Sequence, residues 1–363
     1  MSKIAVINDT HWGIKGSSEL FLNYLENWFE NTFFPECKKR GVTTIIHLGD
    51  YFDNRKSISI KTLNRSRQSF LNKIREHGME MHIICGNHDV VYKNTNYVCS
   101  LKETMGYYTD CIKLYMEPTE VQFDSMRVLF LPWITGDNEE SSYKAIENSA
   151  ADVVASHLEL SGFNMMRGVK SHHNDGSVNK KTLSKFPVVL SGHFHTKSSD
   201  GNIFYLGTQY EQTWADHNDP KFLNFIDTET LELETVLNED CIFYKFIYDD
   251  SEPEYVKEIL HGRPLDEKFV KLVVKKKEDS KAFDNFVTDM VHKHDMASFE
   301  IIDDVATFAY NEDFDVDAEC TDTVSIVNSY VDRSETDLNK ERLKSILHNA
   351  MLIAQSKQIN DSL

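Results

Sequence analysis

Five short polar motifs hold the residues of this chain that could do chemistry: Asp9-Thr10-His11, Gly49-Asp50-Tyr51-Phe52-Asp53, Gly86-Asn87-His88-Asp89, Ser156-His157 and Gly192-His193-Phe194-His195. Each follows an apolar, β-branched run that reads as a buried strand. Open α/β sheets place their sites beyond the carboxyl ends of the strands, so motifs far apart in sequence converge on one edge. Two carboxylates, one amide and four imidazoles then share one cleft. Nitrogen and oxygen donors without thiolates favour hard or borderline divalent ions. Seven ligands exceed the needs of one ion; a central carboxylate, best assigned as Asp50, would bridge two metals about 3.5 Å apart, as in phosphoester hydrolysis. Gly49, Gly86 and Gly192 are expected to free the backbone so that the next side chain turns inward.

The elements that must position these motifs are the runs Lys3–Ile7, Thr43–Leu48, Met81–Cys85, Arg127–Leu131, Asp152–Ala155, Val188–Leu190 and Ile203–Leu206. Helical periodicity spans Leu20–Phe34 and Ser59–His77, and closer spacing in the middle of the series reads as hairpins. The fold class is α/β with some antiparallel character. The acidic stretch Asp227–Asp240 alternates as a last edge strand and places a boundary near residue 240. Beyond it, Phe243–Tyr248, Phe269–Val274 and Phe299–Ile302 read as strands and Ser280–His294 as a helix, a small α+β cap over 241–310. Residues 311–363 form an acidic linker and a helix. Its apolar stripe is Leu343, Ile346, Leu347, Ala350, Met351 and Ala354, with Ser334 and Asp337 as a capping box.

The composition excludes several classes. Of 363 residues, 58 are acidic and 39 basic, a formal charge of −19, so a uniformly basic nucleic-acid coat is ruled out. With 40% hydrophobic residues the chain is globular rather than disordered. No apolar run reaches the length of a spanning helix, and the start MSKIAVIND has no secretory pattern, which predicts a cytoplasmic protein. The six scattered cysteines suit reduced thiols, not a disulfide or zinc framework. Residues 1–200 hold 23 acidic and 23 basic side chains, so the whole acidic excess lies behind residue 200. The ten histidines outside the motifs, His47 among them, read as ordinary core or surface residues.

Together, DxH, GDxxD, GNHD, a lone His after a strand, and GHxH resemble the calcineurin-like metallophosphoesterase superfamily. Shorter signatures narrow the likeness: Gly49–Arg55 (GDYFDNR), Val90–Asn94 (VVYKN), Leu131–Trp133 (LPW), Ser191–Thr196 (SGHFHT) and Asn218–Pro220 (NDP). They are similar to the SbcD family of double-strand-break repair nucleases, and most to the compact recombination nuclease subunit of tailed phages. The resemblance implies a β-sandwich flanked by helices over residues 1–240. It also implies two divalent ions, Mn²⁺ first, with Mg²⁺ or Fe²⁺ as alternatives. It assigns Asp9, His11, Asp50 and His195 to one metal and Asp50, Asn87, His157 and His193 to the other. His88 is left unligated, facing the scissile phosphate. Asp53 stands where cellular repair nucleases usually carry histidine and phosphoprotein phosphatases carry aspartate; its expected role is to orient His88 with its carboxylate.

The implied activity is a DNA exonuclease and single-strand endonuclease, hydrolysing phosphodiesters with hydroxide activated by two metals. The alternative is a metal-dependent phosphoprotein phosphatase. Segment 51–100 carries eight basic residues against four acidic ones, so a basic surface is expected around the site, with Arg55, Lys56, Lys93, Arg167 and Lys170 contacting DNA phosphates. The resemblance further implies an SbcC-type, SMC-like ABC ATPase as partner, bound through the C-terminal helix. A homodimer within a heterotetramer is implied too, through helices near Ser59–His77 and Tyr97–Met105.

Overall fold

The computed structural model describes residues 2–171, 178–262 and 264–303, with isolated positions at 331, 339, 340, 342–344 and 346. Two six-stranded sheets dominate it. The first runs Leu233–Asn238, Lys221–Asp227, Lys3–Ile7, Thr44–His47, Glu80–Ile84, Ile112–Tyr115 in spatial order. The second runs Ser198–Asp200, Ile203–Tyr205, Val188–Gly192, Val153–His157, Met126–Leu131, Thr119–Phe123. Each contains four successive parallel strands; antiparallel strands flank them on both sides in the second sheet and on one side in the first, where parallel Ile112–Tyr115 is the other edge.

Strands covered on both faces must be apolar throughout, which is why the sequence shows continuous runs rather than alternation. Ile4, Val6, Ile46 and Ile84 point inward against Val128, Phe130, Val153 and Leu190 of the second sheet. Their neighbours Ala5, Ile7, Ile45 and Ile83 face outward onto Leu25, Phe29, Phe33 and Phe70. Leu129, Val154 and Val189 do the same against Ile146, Leu183 and Phe186. The result is a sandwich with helices on both outer faces, and each such side chain contributes roughly 1.5–3 kcal/mol.

The two long helical stretches depart from their expected form. The first continues past Phe34 to Arg40, and each is interrupted by one widened turn, Phe29–Phe33 and Arg67–Leu71. These turns deliver Phe29 and Phe70 to each other, stacked with centroids 4.2 Å apart. Strand Lys221–Asp227, central to the first sheet's antiparallel margin, was not anticipated; the expected edge strand beyond it is Leu233–Asn238.

A third sheet, Phe243–Asp249, Phe269–Lys276 and Ser298–Ile302, is wholly parallel. Helices Pro253–His261 and Ser280–Lys293 make its crossovers, and Tyr248, Val270, Leu272, Phe283 and Met290 fill its core. Pro253–His261 escaped the sequence reading because most of its positions are exposed. Phe243 and Phe269 pack against Phe21, and Trp214 lies 4.8 Å from Phe243, so the third sheet is rooted in the first core. The capping box Ser334/Asp337 and most of the 343–354 stripe lie outside the described residues. Among those described, no helix is long and apolar enough to cross a membrane.

Candidate metal centre

Parallel strands end together, and here both sheets end at the same edge. The backbone beyond the strand ends is strained: Asp9, His11, Asp50 and His193 take φ of 49°, 44°, 54° and 86°. Non-glycine residues in this region cost about 1–3 kcal/mol each and persist where the surroundings over-determine them. Interloop hydrogen bonds do so, with Asp9 N–H on Gly49 O (2.9 Å), His11 N–H on Asp50 O (3.1 Å) and Trp12 N–H on Tyr51 O (2.8 Å). Only Gly49, at φ 95°, meets the expectation of glycine freeing the backbone. Gly86 and Gly192 are needed for space instead: a Cβ on Gly86 would lie 2.1 Å from Asp50 Oδ1, and one on Gly192 2.9 Å from Asp9 Oδ2.

Two buried triads result, Asp9–His11–His195 and Asp50–His157–His193, each with its donor atoms within 4.8 Å of one another. Asp50 faces both, its Oδ2 3.3 Å from His157 Nε2 and 3.9 Å from His11 Nε2. Asn87 joins the second triad, Oδ1 lying 3.0 Å from His157 Nε2 and 2.8 Å from His193 Nδ1. His157 Nδ1–H donates to Leu48 O at 2.7 Å, which fixes the ring with Nε2 aimed at the cluster. Both ring nitrogens of His11 and Nε2 of His193 are buried without a hydrogen-bond partner. Such atoms carry a desolvation cost that a bound cation removes. Burial holds His11 and His193 well below the ordinary imidazole range, so both are neutral donors. Burial also opposes charge on His157, but Asp50 beside it outweighs that and raises it to about 9. Burial raises Asp9, while Asp50, despite its burial, is held low by His157 and His88. The residues present therefore fit divalent ions: four imidazoles, of which His11 and His193 are held neutral, two buried carboxylates and an amide oxygen.

A third group, His11, Asp53 and His88, opens beside the triads. His88 N–H donates to Asp50 Oδ1 at 2.8 Å, and His88 Nδ1 lies 2.6 Å from the backbone carbonyl of Asp53. The main chain of Asp53 thus supplies one orienting contact, and its carboxylate charge also favours protonated His88. Its carboxylate lies 3.6 Å from His11 Nδ1. Against the cost of burial, Asp50 and that carbonyl raise His88 above its ordinary value.

Residues 2–197 match the family described as calcineurin-like phosphoesterase. The chain belongs to that family. A curated relative, exonuclease subunit 1 of Enterobacteria phage T4, is 34% identical over 236 residues, covering 65% of this chain and 68% of its own. Among solved structures, a novel archaeal phosphodiesterase superposes with a TM-score of 0.34 at 16% identity, covering 65% of this chain and 99% of that one. The protein TT1561 of Thermus thermophilus gives 0.40 at 11%, covering 65% and 98%. Superpositions this partial add nothing to the assignment.

In this phosphoesterase several further side chains have site roles that the sequence did not show. Asp89 is fully buried and accepts N–H bonds from Asp50 (2.8 Å), Gly86 (2.9 Å), Tyr51 (3.0 Å) and Phe52 (3.3 Å), tying two motif loops together. Burial first, then the Asp50 charge, raises it to about 7. The loop after strand Ile203–Tyr205 holds the first motif from behind: Gln212 donates to Asp9 O and Tyr210 to Thr10 O, both at 2.6 Å. Lys221 donates to His195 O at 2.9 Å and is itself held by Asp216 and Asp219. The signal that could have found this loop is the one that found the motifs, polar residues directly after a buried strand.

The expected basic surface is smaller than its residue count. Lys61, Arg65, Lys73 and Arg75 pair with Glu19, Glu26, Glu30 and Asp110 and are largely neutralised. Arg55 acts electrostatically on His88 and so borders the phosphoesterase site. Lys56 is exposed next to it, while Lys93, Arg167 and Lys170 are exposed on or beside two short hairpins, Val90–Tyr92/Thr95–Cys99 and Asn164–Met166/Val169–Lys170.

Proposed function

We propose that this phosphoesterase is a metal-dependent DNA nuclease, an exonuclease and single-strand endonuclease, and the nuclease subunit of an SbcCD-like recombination and repair complex. The observation that carries the metal reading is the pair of adjoining triads, with Asp50 of one 3.9 Å from His11 of the other and buried imidazole nitrogens left unpartnered. Asp9, His11, Asp50 and His195 would hold one ion and Asp50, Asn87, His157 and His193 the other. Two divalent ions, Mn²⁺ first, would supply positive charge and Lewis acidity to a phosphodiester and its attacking water. His88, fixed by Asp53 O and Asp50, faces the same cleft and donates a proton or hydrogen bond to the leaving oxygen. Arg55, Lys56, Lys93, Arg167 and Lys170 would grip the DNA backbone. DNA as substrate is supported by the likeness to the phage T4 exonuclease subunit.

The domain scheme follows: a nuclease domain over 1–240, a DNA-binding cap over 241–310, and a tail over 311–363 that docks an SMC-like ABC ATPase. A homodimer through the 59–77 helix and the 97–105 segment is supported by the exposure there of Ile60 (80%) and Tyr97 (79%). The test is the purified chain with Mn²⁺ on labelled duplex DNA, single-stranded DNA and a phosphopeptide, with and without the ATPase. DNA cleavage is expected. Cleavage of the phosphopeptide alone would replace this reading with a phosphoprotein phosphatase.

A further inference from the structure

His47 closes strand Thr44–His47, opposite Ile7 in register, and is completely buried. A side chain chosen for packing alone would be apolar there, as its neighbours Ile45 and Ile46 are, because a buried imidazole is costly unless its nitrogens are partnered. Both are. Nδ1 accepts the Gly49 N–H at 3.2 Å, so it carries no proton and Nε2 does. Nε2–H donates to Thr10 Oγ1 at 3.1 Å, and the hydroxyl passes its one hydrogen to Tyr51 O at 3.2 Å. Every donor and acceptor in the chain Gly49, His47, Thr10, Tyr51 is fixed, with no alternative direction.

What this chain clamps is the strained part of the site. Thr10 lies between Asp9 and His11, and Gly49 precedes Asp50, all four of these flanking residues having positive φ. Loops in that conformation relax unless held from outside. The interloop backbone bonds hold their spacing along the strand direction, and the rigid imidazole braces the two loops from beneath.

We infer that His47 is a positioning residue, bracing the loop that carries Asp9 and His11 against the loop that carries Asp50 so that the two ligand sets keep their separation. Its consequence for metal affinity rests on the metal reading above; the brace itself is a property of the chain without metal. The test therefore has two readouts on the full chain. Without metal, His47→Leu is expected to raise amide exchange of segments 8–12 and 48–53 about tenfold, the scale of a lost buried hydrogen bond. Segments 126–131 and 188–192 are expected to stay unchanged. With Mn²⁺ alone as the probe, titration followed by electron paramagnetic resonance is expected to show affinity lowered about 10–100-fold. Thr10→Val should act in the same direction, the double variant should be no worse than the more damaging single, and His47→Gln, which keeps a donor towards Thr10, should recover part of the loss.

Exchange and affinity within twofold of the parent in His47→Leu would overturn the inference, as would fully additive losses with Thr10→Val. If His47→Leu does not fold, Thr10→Val decides by the same two criteria. A parent chain that binds no Mn²⁺ refutes the metal reading, and the exchange result alone then decides for or against the brace.

Discussion

The two six-stranded sheets share one architecture but divide the site unequally. The first contributes Asp9, Asp50 and Asn87, with only His11 as an imidazole; the second contributes His157, His193 and His195 and no carboxylate to either triad. One wall of the cleft therefore supplies the carboxylates and the other only imidazoles. Neither sheet completes a ligand set alone, so any ion bound there also staples the two halves of the sandwich.

The most severe way to break this asymmetry is Asp50→Ala, since Asp50 belongs to one triad and faces the other across 3.9 Å to His11. Phosphodiesterase activity is expected to fall by at least roughly 10³-fold, the scale of a lost electrostatic stabiliser, with both ions lost in elemental analysis. His88→Ala sharpens the comparison, because His88 sits beside the first-sheet ligands without belonging to them. Activity should fall about 10²-fold or more while two ions per chain are retained. Loss of metal in that variant would make His88 a ligand.

The staple itself is checked by melting. At a thousandfold excess over Kd, divalent metal should add about 4 kcal/mol to stability, and a chelator should remove it. An unchanged Tm would mean the sheets close without help. The smallest effect lies away from the triads, at Glu211, where burial raises the carboxyl to about 7 from an unfolded value of 4.5. Folding then resists its ionisation, so its contribution is greatest below about pH 4.5, declines as the pH rises through 7 and is flat beyond, amounting to no more than about 3 kcal/mol. Glu211→Gln should flatten Tm against pH across that window, leaving the metal response intact.

Much of this site was legible in the sequence because one physical rule governs it: a strand buried on both faces is apolar to its end, so the first polar residues after it announce the cleft. Asp9, Asp50, Asn87, His157 and His193 follow that rule. Asp89, His47 and Lys221 do not, since their importance lies in backbone groups they bind, and those partners are set only when separate loops meet. The same reason hid the role of Gly86, whose missing Cβ makes room for an Asp50 thirty-six residues earlier. Lys221–Asp227 was hidden for another cause. Its run is broken by Asn224, whose amide bonds Phe222 O within the strand.

The segment Gln209–Gln212 faces two ways. Tyr210 and Gln212 hold the carbonyls of Thr10 and Asp9, while the intervening Glu211 accepts the N–H groups of Ile242 (2.7 Å) and Phe243 (3.0 Å), where the third sheet begins. Successive side chains of one short segment thus grip the floor of the metal centre and the root of a separate sheet. A segment held at both ends offers a short path between them, along which a displacement of Ile242 or Phe243 would reach the Asp9 carbonyl. By thermodynamic reciprocity an ion that held Asp9 in place would then resist that displacement to the same degree.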